Sequence, residues 1–236
     1  TKRIVTVLPP PVTKFVVPYI DIVHNRAAIE IQRGCTRGCR FCQAGMIYRP
    51  VRERGMRAIE EAVECCLSGS GFDELSLASL STGDHGCIAG LLTRLMRRYA
   101  DEKVAISFPS LRSETLTPHL IEQIKKVRKT GFTIAPEAGT DRLRRVINKG
   151  NTEDEILETV RNVFDAGWNG IKLYFMIGLP GERQEDLEGI VALAAKIRAL
   201  ATRGGKRRGV AVSVSTFVPK AHTPFQWEGQ ISMDEM

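Results

Sequence analysis

The sequence predicts an α/β chain folded as a partial (β/α)6 TIM barrel with parallel strands, the core of one large domain. Short apolar runs alternate with amphipathic helical patterns along the chain, which is how parallel strands joined by helical crossovers read. The alternation occurs six times, and right-handed crossovers curve such units into a sheet shorter than the eight-fold barrel. The unusual polar and Gly/Pro clusters fall directly after the apolar runs, at the strand ends where barrel chemistry gathers.

Ala27 to Gln32 reads as the first strand and runs into a loop holding Cys35, Cys39 and Cys42; Ile59, Val63, Cys66 and Leu67 then recur at helical spacing. Leu75 to Leu80 is the second strand, ending at Ser81-Thr82-Gly83-Asp84-His85, and Ile88, Leu91, Leu92, Leu95 and Tyr99 mark the next helix. Val104 to Phe108 is the third, ended by Pro109 and followed by Ser110 and Arg112; Leu120, Ile121, Ile124 and Val127 form the helical face after it. Phe132 to Ala135 is a short fourth strand before Pro136-Glu137-Ala138-Gly139, with a helix through Ile156, Leu157, Val160, Val163 and Phe164. Gly170 to Ile177 is the fifth, ended by Gly178-Leu179-Pro180-Gly181-Glu182, and its helix carries Leu187, Ile190, Val191, Ala194, Ile197 and Leu200. Val210 to Val218 is the sixth and leads into Pro219-Lys220-Ala221-His222. Residues 1–26, with Pro9-Pro10-Pro11, read as an extension packing on the barrel, 27–218 as the core, and 219–236 as a tail leading to a further domain.

Composition narrows the setting. An apolar fraction of 43% over 236 residues is enough for a full core. No apolar run approaches the ~18–20 residues of a membrane span, and Thr1-Lys2-Arg3-Ile4-Val5 lacks a signal peptide's apolar block. A soluble, cytoplasmic protein is therefore expected. The chain is too large and core-rich for its 6 cysteines to form a disulfide scaffold. Cys65, Cys66 and Cys87 lie on helical patterns and read as buried small apolar residues.

The remaining three form the most informative feature, Arg-Gly-Cys-Thr-Arg-Gly-Cys-Arg-Phe-Cys, ending at Cys42. Three thiolates in one short loop suit three irons of a four-iron, four-sulfur cluster, leaving the fourth iron open to a small molecule. Structural zinc normally takes four protein ligands in paired sets, and the chain has no matching downstream pair. The formal charge is +7, and Arg33, Arg37, Arg40, Arg49, Arg52, Arg54 and Arg57 crowd this loop against a single acid, Glu53. Two readings of them stand: a solvated basic face beside an anionic cluster, or a funnel for a phosphate-bearing substrate.

The Cys35, Cys39, Cys42 spacing, with Phe41 before the last cysteine, resembles the signature of the radical S-adenosylmethionine (SAM) superfamily. The segments Gly34 to Arg54, Ala135 to Thr140, Lys172 to Pro180 and Phe217 to Trp227 extend the resemblance over nearly the whole chain, toward an uncharacterised subfamily. Members of that subfamily often carry a further C-terminal domain and sometimes an N-terminal cobalamin-binding-like region.

The resemblance implies an oxygen-sensitive [4Fe-4S] cluster on Cys35, Cys39 and Cys42 whose open iron chelates SAM. It also implies an electron donor of flavodoxin or ferredoxin type, and a 5′-deoxyadenosyl radical that takes hydrogen from a substrate. Beside Phe41, it places Ser81, Thr82 and Gly83 at the methionine amino group, although they depart from the common Gly-Gly-Glu form. Glu137 falls at the ribose or methionine part, Lys149 at the SAM carboxylate, and Ile177 with Phe217, Val218 and Pro219 around the adenine. Ser110 and Arg112 would touch SAM or substrate, and Tyr174 would line the site.

Two functions follow as expectations. The first is a radical SAM enzyme acting on RNA or another anionic substrate. The alternative is a non-enzymatic iron–sulfur or zinc module that binds nucleic acid or a protein partner, with no SAM and no sensitivity to changes at Glu137 and Lys149.

Overall fold

The computed structural model describes residues 7–20, 22–107, 121–122, 132–205 and 207–235. In chain order its elements begin with β1 (Ala27–Glu30), β2 (Gln32–Arg33), α1 (Gln43–Ile47), β3 (Arg52–Glu53), α2 (Met56–Ser70), β4 (Glu74–Ala78), α3 (Ile88–Tyr99) and β5 (Ala105–Ser107). They continue with β6 (Phe132–Glu137), α4 (Asp141–Val146), α5 (Glu153–Asp165), β7 (Gly170–Ile177), α6 (Gln184–Ala201) and β8 (Gly209–Thr216). The described residues divide into two compact units. Residues up to Cys35, those from Tyr48 to Ser107 and Ile121–Glu122 form one; Thr36–Ile47 and the residues from Phe132 onward form the other.

Each unit is built on a three-stranded parallel sheet, in the orders β1-β4-β5 and β6-β7-β8. The α/β class with parallel strands is therefore present. In the first unit β4 is central, pairing Leu75 with Ala27 on one side and Ile106 on the other. Ile59, Ala62, Val63 and Cys66 of α2 are buried, as are Ile88, Leu91, Leu92 and Leu95 of α3 together with Met96 and Tyr99; each set follows the i, i+3, i+4, i+7 stripe of an amphipathic helix. Cys65 and Cys87 depart from their expected burial. Only Cys66 faces the core; Cys65 points outward from α2, and Cys87 precedes α3 at its exposed end.

In the second unit β7 is central, and its alternation is clean: Ile171, Leu173 and Phe175 are buried while Lys172 and Tyr174 are exposed. Its edge partner β8 stays in register from Gly170↔Gly209 to Ile177↔Thr216. The capping box of α5, in which Thr152 and Glu155 satisfy each other's backbone N–H groups, fixes the start of that helix.

The second expected strand runs instead from Glu74 to Ala78 and the sixth from Gly209 to Thr216, and three further strands differ from expectation for local reasons. The first strand breaks at Ile31, and Gln32–Arg33 pairs antiparallel with Arg52–Glu53. The fourth runs on to Glu137 through a register shift after Ile134, because Pro136 has no N–H for the ladder. The third is described from Ala105 to Ser107, and Phe108 lies outside the described residues. Of the helical face expected near 120–127, Ile121 is helical and buried, while Leu120, Ile124 and Val127 fall outside. Among the described residues no helix is long and apolar enough to cross a membrane.

Candidate cofactor site

The cysteine loop begins where β2 ends. Gly34 sits at φ +89°, and a Cβ there would meet the Tyr48 and Pro50 carbonyl oxygens at 2.6 and 2.8 Å. Only glycine fits, so the residue before Cys35 is dictated by the backbone. Cys35 and Cys42 are half-buried and Cys39 is buried. The Cys42 N–H donates to the Cys39 carbonyl at 3.1 Å, and the Gly45 N–H, in the first turn of α1, reaches the Cys42 Sγ at 3.4 Å.

From Thr36 onward the loop is held by the rest of its own unit. The Arg40 N–H donates to the Ile147 carbonyl at 2.9 Å, and the Arg40 carbonyl accepts from the Phe225 N–H at 3.3 Å. The Arg40 guanidinium caps the Val146 carbonyl. The Asn148 side-chain amide donates to the Arg37 and Gly38 carbonyls at 3.2 and 2.9 Å, and Gln43 donates to the Ala221 carbonyl at 3.1 Å. Beneath the loop, Phe41 packs against a buried cluster of Ala138, Leu143, Ile147, Leu179, Phe217 and Phe225. Sequence reasoning missed Asn148, Ile147 and Phe225. For Ile147 and Asn148 the signal lay in α4, six residues preceded by Thr140 and closed by Arg144 and Arg145, which is too short to show a period but carries capping and charge cues.

The strand-end residues of this unit form two groups. Glu137, at the end of β6, occupies φ +69°, a conformation uncommon outside glycine. Its carboxylate lies 3.2 Å from the Lys149 ammonium, and both side chains are largely buried. The two residues expected at SAM's polar groups are thus each other's ion-pair partners. The Phe217 ring is 1% exposed and stands edge to face with Phe225 at 6.0 Å, so what Phe217 offers a ligand is backbone. Its own N–H is bound to the Ile177 carbonyl, while Val218 is exposed and Pro219 half-buried. After Ile177, Gly178 donates to the Glu182 carboxylate at 2.8 Å. Burial pushes that carboxyl above its ordinary value, against the N–H groups of Gly178 and Leu179. Tyr174, on the exposed face of β7, has the Lys172 ammonium 4.7 Å over its ring.

In the first unit, the Ser81 hydroxyl donates to Asp84 at 2.7 Å and Thr82 shares its hydroxyl with Ser79 at 2.9 Å. Both side chains are buried, and the Ser81 and Thr82 carbonyls already accept N–H groups from Asp84 and His85 in a single helical turn that includes Gly83. The open space lies two residues earlier. A cavity of about 460 Å³ is lined by Ser79 and Leu80 together with Gln32, Arg33, Gly34 and Tyr48. Gln32 is 3% exposed, and its amide oxygen lacks a hydrogen-bond partner among the described residues. A buried acceptor in that state marks a place for a donor. Ser110 and Arg112 lie outside the described residues.

The crowd of arginines resolves into individual jobs. Arg33 forms a two-pronged pair with Glu30 at 2.7 Å, and Arg57 pairs with Glu61 at 2.8 Å. Arg54 is buried and braces the Glu30 and Pro9 carbonyls. With Arg40 on the end of α4 and Arg52 donating to the Tyr48 carbonyl at 2.9 Å, at least five of the seven have partners within the fold.

The sequence profile of the Radical SAM superfamily matches residues 29–194 of this chain. The chain belongs to that superfamily. An uncharacterised protein of Methanocaldococcus jannaschii is 38% identical over 200 residues, covering 85% of this chain and 42% of its own length. The tRNA-2-methylthio-N(6)-dimethylallyladenosine synthase of Anaplasma phagocytophilum is 27% identical over 240 residues, covering 96% and 51%. This chain therefore spans about half the length of these curated relatives. Among solved structures, the radical S-adenosylmethionine methyltransferase of Kitasatospora setae, with cobalamin and a [4Fe-4S] cluster bound, superposes with a TM-score of 0.66 at 17% identity. That match covers 86% of this chain and 38% of the other and shows a shared fold.

Radical SAM proteins are enzymes that use a [4Fe-4S] cluster and SAM, and the donor set here fits the cluster. Three cysteines on a glycine-shaped loop are the residue type whose thiolates iron–sulfur clusters take as ligands. Among the described residues no three His, Cys, Asp or Glu side chains gather around one point as ligands of a single ion. A cluster asks for something different, because each thiolate binds a separate iron.

Proposed function

We propose that this chain is the catalytic core of a radical SAM enzyme acting on RNA or another anionic substrate. The observation that carries the reading is the loop of Cys35, Cys39 and Cys42, shaped by Gly34 and fastened to the Ile147–Asn148 turn. Those cysteines would hold the cluster, and SAM cleaved by one electron from a flavodoxin- or ferredoxin-type donor supplies the 5′-deoxyadenosyl radical.

The protein's share is binding, orientation and exclusion of water. In the second unit, Lys149 carries three N–H donors and can take SAM's carboxylate beside that of Glu137. Ile177 with its turn, and the Phe217 to Pro219 backbone, offer a wall for the adenine.

Support for an RNA substrate comes from a relative named for tRNA, at 27% identity, while another, at 22%, is named for ribosomal protein uS12. The deciding experiment is anaerobic reconstitution with iron and sulfide, reduction with dithionite, and addition of SAM. Formation of 5′-deoxyadenosine is expected. A verified four-iron cluster that yields none, with or without tRNA or ribosomal protein, refutes the proposal. Cys39→Ala is expected to lose the cluster and its brown colour, and full iron retention by that variant would reassign the ligands.

A further inference from the structure

α4 closes in a way that its backbone alone does not explain. The Asn148 N–H donates to the Arg145 carbonyl at 3.1 Å and the Lys149 N–H to the Arg144 carbonyl at 2.9 Å, the paired bonds of a helix end whose left-handed residue is usually glycine. Asn148 holds that position at φ +55°. Glycine would satisfy the turn at lower conformational cost, so the asparagine side chain calls for a separate reason.

The reason is what its amide touches. Asn148 Nδ2 sits 3.2 Å from the Arg37 carbonyl and 2.9 Å from that of Gly38. Both partners accept, so the amide must present its NH2 group, and both of its hydrogens are used. The two carbonyls belong to consecutive peptide groups lying between Cys35 and Cys39. A trans peptide carries its N–H opposite its C=O. Gripping both carbonyls therefore turns the Gly38 and Cys39 N–H groups to the sides away from Asn148.

We propose that Asn148 is a positioning residue of the cysteine loop, setting these two peptide groups so that their N–H bonds serve the sulfurs of the iron–sulfur cluster. The inference rests on the reading of Cys35, Cys39 and Cys42 as cluster ligands. Hydrogen bonds to the sulfurs are among the factors that set a cluster's reduction potential, and groups that orient metal ligands are part of the site's affinity.

Two substitutions separate this role from simple helix capping. Asn148→Gly preserves the left-handed turn and removes the grip. Asn148→Asp preserves shape and the same backbone tolerance but sets a carboxylate against two carbonyls. In the full chain, reconstituted anaerobically, iron release to an added chelator should be at least about tenfold faster in the glycine variant, and faster again in the aspartate variant. The midpoint potential, followed by electron paramagnetic resonance, should move to more negative values in both, while thermal unfolding of the glycine variant without cluster stays at the wild-type temperature. Wild-type release rates and potentials in both variants would overturn the proposal. So would iron loss that merely follows a fall in unfolding temperature, with the potential unmoved. Wild-type protein that assembles no four-iron cluster would overturn the underlying reading, and this inference with it.

Discussion

At the scale of single residues, Glu137 and Lys149 show what a spacing reveals and what it conceals. Their places, Glu137 just beyond the fourth apolar run and Lys149 twelve residues on, are visible in the sequence, but their pairing depends on the register shift that turns Glu137 to φ +69°. Holding a non-glycine residue there costs about 1–3 kcal/mol, which the surrounding structure must supply, and Lys149 at 3.2 Å is part of that support. Lys149→Ala should leave the cluster content unchanged and weaken SAM binding to the reconstituted protein by about ten-fold or more, the size of one lost charged hydrogen bond. Unaltered SAM affinity, measured anaerobically by equilibrium dialysis, would remove Lys149 from the site. Gly34→Ala should act differently. Its new methyl group would collide with two backbone carbonyls, so the cysteine loop itself should be displaced and iron content should fall before SAM affinity is in question.

At the scale of elements, long periodic segments were legible and short ones were not. The helical stripes of α2, α3 and α5 follow from apolar spacing alone, and β7 was read with its observed bounds. α4 has six residues and one buried arginine, Arg144, bound to the Ala138 carbonyl and Asp141. Its importance comes from contacts with distant segments, which no local pattern contains. The same holds for its N-terminal anchorage. A Cβ on Gly139 would strike the α6 backbone at Asp186 and Ile190, and one on Gly189 would lie 2.8 Å from the Thr140 methyl group. Gly139→Ala should therefore cost at least about 1–3 kcal/mol by overpacking. Asp186 locks this contact through Thr140, Arg142 and the Arg183 N–H. Burial opposes its charge, but those donors together hold its carboxyl below the ordinary aspartate value. Asp141 is lowered in the same sense, burial being outweighed by Arg144 and the Glu153 N–H. A folded pKa below the unfolded value of about 3.9 gives stability that is present above that value and lost as pH falls through the folded one. The unfolding temperature should drop on acidification below about pH 4. Asp186→Asn should lower it at neutral pH, by about 1–3 kcal/mol of stability, and flatten the acid limb in circular dichroism melts.

At the scale of the whole molecule, a formal charge of +7 invites the idea of an RNA-binding surface, and the structure reduces how much of it is available. Arg33 and Arg57 are matched by carboxylates, Arg54 is buried, and Arg40 serves the end of α4. Net charge could be counted from the sequence; this division of labour could not, because it depends on which carbonyls and acids the fold brings within reach. Arg49 is exposed and retains a clear approach to solvent. Each phosphate neutralised on single-stranded RNA contributes about −0.7 to the slope of log K against log salt. If the seven arginines acted together the slope would be steep, whereas the partners that at least five of them already hold make it shallow. Binding of a single-stranded RNA by the full chain, titrated between low and moderate salt by fluorescence anisotropy, should therefore weaken with a slope no steeper than about −1.5. Arg49→Glu should weaken binding and flatten that slope with the cluster intact. Arg54→Gln should instead lower the unfolding temperature, since it withdraws a buried donor from the Glu30 and Pro9 carbonyls. A steep slope abolished by changes at Arg33 and Arg57 would mean that RNA displaces Glu30 and Glu61 from their partners. In that case the arginines beside the cysteine loop would form a phosphate funnel despite their pairing in the protein alone.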